Sequence, residues 1–129
     1  MASISNFEDL VCWQLAREIS KMVYQFTLSE KFSRDFSLIN QIRSSSGSVM
    51  DNIAEGFDRG GNKEFIQFLS ISRGSLSEVK SQLYRAKDQE YINQEEQTEA
   101  IFLINKTRKA ITGLMNYLRG SNLKGFKYQ

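Results

Sequence analysis

The chain has no histidine, and its single cysteine is Cys12. Without an imidazole, no Ser-His-Asp or Cys-His mechanism can be assembled, and the commonest metal ligand and neutral-pH base are missing. Di-iron carboxylate bundles, the obvious enzyme reading for a small helical protein, need Glu-x-x-His pairs. Cys12 lies within VCWQLA, the setting of a small core residue rather than of an activated thiolate. One glycine-rich stretch remains, DNIAEGFDRGGNKEF at residues 51–65, with six charged residues around Gly56, Gly60 and Gly61. A Walker-type phosphate loop would need GxxxxGK[ST] after a strand, and GFDRGGNK has neither. The stretch instead reads as a connection: Gly56 takes the left-handed cap of one helix, Gly60 and Gly61 allow a reversal, and Asn62 caps the next helix with Glu64 near its positive end. No catalytic residue, cofactor or metal ligand is expected.

Charge gives a second candidate chemistry. The net charge is only +2, but residues 88–99 hold five acidic and no basic residues, whereas residues 100–129 hold Lys106, Arg108, Lys109, Arg119, Lys124 and Lys127 and no acidic one. This polarity has two readings. It either complements a helix dipole, acidic at the start and basic at the end, or forms a patch that contacts nucleic-acid phosphates. Tyr117, Phe126 and Tyr128 lie among the cations and could stack bases, although Tyr117 also fits a core.

The elements that must position these residues are helices. At 129 residues, 40% hydrophobic and 25% charged, the sequence fits one soluble domain. Apolar residues recur at spacings of three and four, with no sustained alternation. Ser5 with Glu8 reads as a capping box opening helix one, whose stripe is Ala16, Ile19, Val23 and Phe26, ending near Leu28. Ser33 and Asp35 suit the start of helix two, which carries Leu38, Ile39, Ile42, Val49 and Ile53 to about Gly56. Helix three bears Phe65, Phe68, Leu69, Ser72, Leu76, Val79, Leu83 and Ala86. Asn93 with Glu96 caps helix four, whose seam is Ala100, Ile104, Thr107, Ile111, Leu114 and Leu118.

Long helices joined by short connections give an all-α, antiparallel, up-down-up-down four-helix bundle over residues 1–120, followed by a loose basic tail at 121–129. The SSSGS run at 44–48 keeps the helical register and supplies small residues for close helix approach, as do Gly74 and Ser75. The longest wholly apolar run, Ala100 to Ile104, is far short of the roughly 20 residues of a membrane span. With a lone cysteine and no signal-peptide pattern, a cytoplasmic location is expected. Helix one adds Leu10, Val11, Trp13, Leu15, Met22 and Tyr24 beside its stripe, and helix three adds Ile66 and Ile71. That surplus either thickens the core or, the reading preferred, gives a second buried face and self-assembly.

The segment QIRSSSGSVMDNIAEGFDRGGNKEFIQFLSISRGSLSE, residues 41–78, with FEDLVCWQLA near the start, resembles the family of intervening-sequence proteins of large-subunit ribosomal RNA. That family in turn is similar to the accessory variability proteins of diversity-generating retroelements, which partner a reverse transcriptase. The resemblance implies a four-helix bundle assembling as a homopentamer, suspected nucleic-acid binding and no enzymatic activity. Its signature falls on Gln41, Arg43, Asn52, Glu55, Gly56, Arg59, Phe65, Ser75 and Glu78. The chain departs from the family pattern at Ser44, where a second basic residue is common, and at Met50, where proline is common. Counting along two helices that reverse near residues 57–61 brings Arg43 level with Glu78, which predicts an ion pair. Asn52, Glu55 and Arg59 would fasten the connection, unless these signature residues contact a partner directly. Two functions stay open. One is a nucleic-acid-binding accessory protein taking RNA, DNA or a hybrid by its backbone; the other is an oligomeric scaffold that recruits a partner protein.

Overall fold

The computed structural model describes residues 4–121. Among these there are four long helices and no strand: α1 (Val11–Phe26), α2 (Phe36–Asp58), α3 (Asn62–Asp88) and α4 (Gln94–Gly120). Short 3-10 turns at Phe7–Asp9 and Phe32–Arg34 precede α1 and α2. The helices close a ring of contacts in which α2 packs on α1 and α3, and α4 packs on α3 and α1. The apolar stripes meet at its centre. Leu38, Ile42, Ile53, Leu69, Leu76, Leu83, Ile104, Ile111, Met115 and Leu118 are fully buried there. No helix among the described residues is long and apolar enough to cross a membrane.

Local chemistry explains the helix ends, in several places against expectation. The Ser5–Glu8 box does not form. Leu10 is extended and 4% exposed, and its burial draws the preceding residues into a 3-10 turn that packs Phe7 edge-on against Trp13 at 5.2 Å. The Glu8 carbonyl accepts from Gln14 Nε2, which pins the turn to α1. At the other end α1 stops at Phe26, because buried Thr27 turns its hydroxyl back onto the Tyr24 carbonyl; Leu28 is left exposed. Asp35 caps α2 as expected, accepting from Leu38 N–H, and its second oxygen accepts from Tyr91 O–H. Asn93 and Glu96 form the full capping box of α4.

α2 runs unbroken through the SSSGS segment because its serines bond within the helix, Ser45 Oγ to the Gln41 carbonyl and Ser46 Oγ to the Arg43 carbonyl. Close approach to α3 comes from Ser48, Ser72 and Ser75: Ser72 Oγ donates to the Val49 carbonyl and Ser75 Oγ to Ser48 Oγ. Gly74 plays no part in that approach, since a Cβ there would meet open space.

The glycine stretch also works differently from the sequence expectation. Gly56 is not the left-handed cap but a buried residue inside α2, and a Cβ on it would lie 2.6 Å from Phe68 Cβ and 3.0 Å from Phe65 Cδ1. The left-handed residue is Gly60, at φ 97. Gly61 stands at the N-cap of α3, because the Asn62 side chain is spent on the carbonyls of Leu118 and Ser121, tying the start of α3 to the end of α4.

Candidate nucleic-acid interface

Cations from two helices converge along the α3–α4 seam. Arg73 Nη1 donates to Thr112 Oγ1 at 3.2 Å, and Arg108 Nη2 donates to Ser77 Oγ at 3.3 Å. Helical spacing extends both rows: Arg73, Ser77 and Lys80 share one stripe of α3, and Lys109 stands one turn from Thr112 on α4. The partners of both guanidiniums are neutral hydroxyls, so their charge is uncompensated, and each retains further N–H donors. Among the described residues, ion pairs join Lys21 to Glu18, Arg34 to Glu30, and Arg59 to Glu55 and Glu64, and none involves a cation of this seam.

The remaining predicted contacts of α4 are spread more widely. Lys106 and Lys109 are exposed near its middle, and Arg119 is exposed near its end, bonded to Asn116. Only Arg119 stands in the last turn, so complementing the helix dipole accounts for one cation and not for Lys106, Arg108 or Lys109. Lys124, Lys127, Phe126 and Tyr128 lie outside the described residues. Tyr117 is half-buried against the core. Arg73 and Lys80 were missed from the sequence. Their signal was present as a spacing of seven on one helix, but charge counted along the chain does not reveal cations that a neighbouring helix brings alongside.

The family-like signature residues gather instead around α2, and their charges are mostly consumed. Arg43 does not pair with Glu78, which is exposed. Its Nε and Nη2 donate to Thr27 Oγ1 at 3.0 and 2.7 Å, and its guanidinium lies 4.1 Å from the centre of the Tyr24 ring. Level position on neighbouring helices is not enough: Arg43 points toward the end of α1 rather than toward α3. Gln41 Oε1 accepts from Arg85 Nη1 at 2.8 Å, and Asn52 Nδ2 donates to the Ser48 carbonyl and hydroxyl. Arg59 binds Glu55 at 2.8 Å, approaches Glu64 at 3.9 Å and lies over Phe68. The Glu55 hydrogen bond raises the Arg59 pKa above its usual value. Phe65 is buried, edge-on to Phe57.

On its outer side α2 forms a shallow cleft of about 410 Å³ lined by Arg43, Ser44, Gly47, Ser48, Asp51, Asn52 and Glu55. Two carboxylates face one guanidinium that is already engaged, which is a poor setting for a phosphate. Burial pushes the Cys12 thiol up to about 12, which favours the protonated thiol near neutral pH. Among the described residues no group of three or more acidic or cysteine side chains comes together to hold a metal.

Part of the apolar surplus joins the core: Leu10 is buried, and Trp13, Met22 and Ile66 pack against it. Val11, Tyr24 and Ile71 are 50–63% exposed, and Leu28 and Phe36 are more than half exposed as well.

A family model described as 23S rRNA-intervening sequence protein matches residues 8–113. The chain is also similar to a crystal structure of a protein of unknown function from the S23 ribosomal protein family of Bacteroides thetaiotaomicron. The two are 22% identical with a TM-score of 0.74 over 81% of this chain and 98% of that one, a likeness of fold. No curated protein matches.

Proposed function

Since the chain belongs to the family of 23S rRNA-intervening sequence proteins, we propose that it is a non-enzymatic, cytoplasmic accessory protein that associates with RNA, or an RNA–DNA hybrid, through the sugar-phosphate backbone. The observation carrying this reading is the uncompensated run of Arg73, Lys80, Arg108 and Lys109 along the α3–α4 seam, cations that would replace the counterions condensed on a nucleic-acid backbone. The family's name ties its members to ribosomal RNA, which points the same way.

The helices are taken to run antiparallel, up-down-up-down. In support, Ser72, Ser75 and Arg85 on α3 meet Val49, Ser48 and Gln41 on α2, one number rising as the other falls. The protein is taken to assemble as a homopentamer, which would repeat the basic seam five times around a ring. Exposed Val11, Tyr24, Leu28 and Phe36 support a protein contact. The same residues favour a second reading, a scaffold for a partner protein such as a reverse transcriptase, with nucleic acid incidental. Titrating the purified protein with structured RNA at increasing salt tests the first reading: affinity should fall steeply, with a log–log slope of about −0.7 to −0.9 per phosphate contact. Absence of binding at low salt would leave the scaffold. Light scattering that returns a monomer mass at every concentration would remove the ring.

A further inference from the structure

The basic seam ends at two uncovered aromatic rings. Phe102 on α4 is 70% exposed and Tyr84 on α3 is 51% exposed. Among the described residues neither ring contacts another ring or a cation. By contrast, Trp13, Tyr24 and Phe68 are each covered by an arginine: Arg17, Arg43 and Arg59. Tyr84 stands one helical turn beyond Lys80, and Phe102 one turn before Lys106. On the antiparallel order proposed above, the Ser77–Arg108 and Arg73–Thr112 bonds fix the register, and seven residues further along both helices Tyr84 comes level with Ile101, the residue before Phe102. The two rings stand at nearly the same height, Tyr84 on the stripe of α3 that faces the seam and Phe102 further round α4 toward its exposed face, with cations leading away on both helices.

We infer that this end of the seam binds unpaired nucleotides, with Tyr84 and Phe102 stacking bases while Arg73, Lys80, Lys106 and Lys109 hold the adjoining phosphates; the inference rests on the nucleic-acid reading above. Aromatic faces beside a basic track are what single strands use, because every base offers a π-face and the backbone follows the charge. A duplex keeps its bases stacked inside and presents phosphate and sugar to a protein. The alternative occupant, another protein, fits less well: interface cores are depleted in lysine, and here Lys80 and Lys106 each stand one turn from a ring. Asp88, one turn past Tyr84, and Glu99, one turn before Phe102, close the track on that side, so a bound strand runs from the rings toward the C-terminal end of α4.

The test compares a labelled RNA strand without internal pairing and a labelled, fully paired RNA duplex of the same length at one low salt concentration. Wild type, Tyr84→Ala/Phe102→Ala and Arg73→Ala/Lys80→Ala/Lys109→Ala are titrated with each. The ring variant should lose single-strand affinity by on the order of tenfold or more while keeping duplex affinity, wild-type mass and unfolding midpoint; the cation variant should lose both affinities. Phe102→Trp should report the strand, and not the duplex, through quenching of its fluorescence. Equal losses on both probes, no loss on either, or a change of oligomeric mass in the ring variant would overturn the single-strand inference and leave backbone binding standing. Failure of wild type to bind either probe would remove the nucleic-acid reading itself, and this inference with it.

Discussion

Around α2, Arg43 and Arg59 each meet a ring and a hydrogen-bond acceptor supplied by the fold, Thr27 with Tyr24 for one and Glu55 with Phe68 for the other. Along α3 and α4, Arg73 and Arg108 meet only hydroxyls, and Lys106 and Lys109 meet no carboxylate among the described residues. The first region therefore spends its charges on geometry and should respond to mutation as a stability element. The second leaves them in water, where a surface cation contributes little to folding, and should respond through ligand binding. The residues most recognisable in the sequence are thus the ones that hold the bundle. The candidate partner surface is made from less conspicuous residues.

Substitution at Gly56 tests the contrast most strongly. Alanine there would place a Cβ 2.6 Å from Phe68 Cβ, so α3 must shift. Overpacking of this kind costs about 1–3 kcal/mol, more than the gain of up to about 1 kcal/mol from better helix propensity. Urea unfolding should show Gly56→Ala destabilised and Gly56→Leu more so; a stabilised alanine variant would contradict the close approach. Arg43→Ala comes next, at about 1–2 kcal/mol for the missing hydrogen bonds and the stacked ring. A double-mutant cycle of Arg43 with Thr27 should give a coupling above ~0.5 kcal/mol, whereas the cycle of Arg43 with Glu78 should be additive within that margin. Coupling to Glu78 would restore the ion pair expected from counting along the helices.

The smallest effect on folding belongs to the seam. Arg73→Ala, Lys80→Ala, Arg108→Ala and Lys109→Ala should each leave stability within ~0.5 kcal/mol. The four together should flatten the salt dependence of RNA binding, by about 0.7–0.9 in slope for each phosphate no longer neutralised. A large stability loss with unchanged binding would erase the distinction between the two regions.

Much of the fold was legible because periodicity and capping are local. Leu69, Leu76, Leu83, Ile104 and Ile111 lie on the expected stripes and are fully buried, and Asn93–Glu96 forms its capping box. Ser5–Glu8 had the same signature and failed, because burial of Leu10, a tertiary effect, decided the backbone there. Of the candidate site, Arg108 and Lys109 could be read from the charge of one helix, but Arg73 and Lys80 join them only through the pairing of α3 with α4. Arg43 was given the wrong partner, since residue counting gives height along a helix and not the direction in which a side chain points.

The turn at residues 59–61 has a kinetic meaning. It separates two long helices by a few residues, so the loop that must close before α2 and α3 touch is about as short as a helical connection allows, and its entropy cost is small. Chains rich in such near-neighbour contacts fold quickly. The α2–α3 hairpin should therefore assemble early, with α1 and α4 docking onto it afterwards, and Gly60, held at φ 97, becomes a determinant of rate as well as of shape. A side chain there would strain the reversal before most of the core exists to compensate, and stopped-flow refolding should register Gly60→Val chiefly as slower folding rather than as faster unfolding.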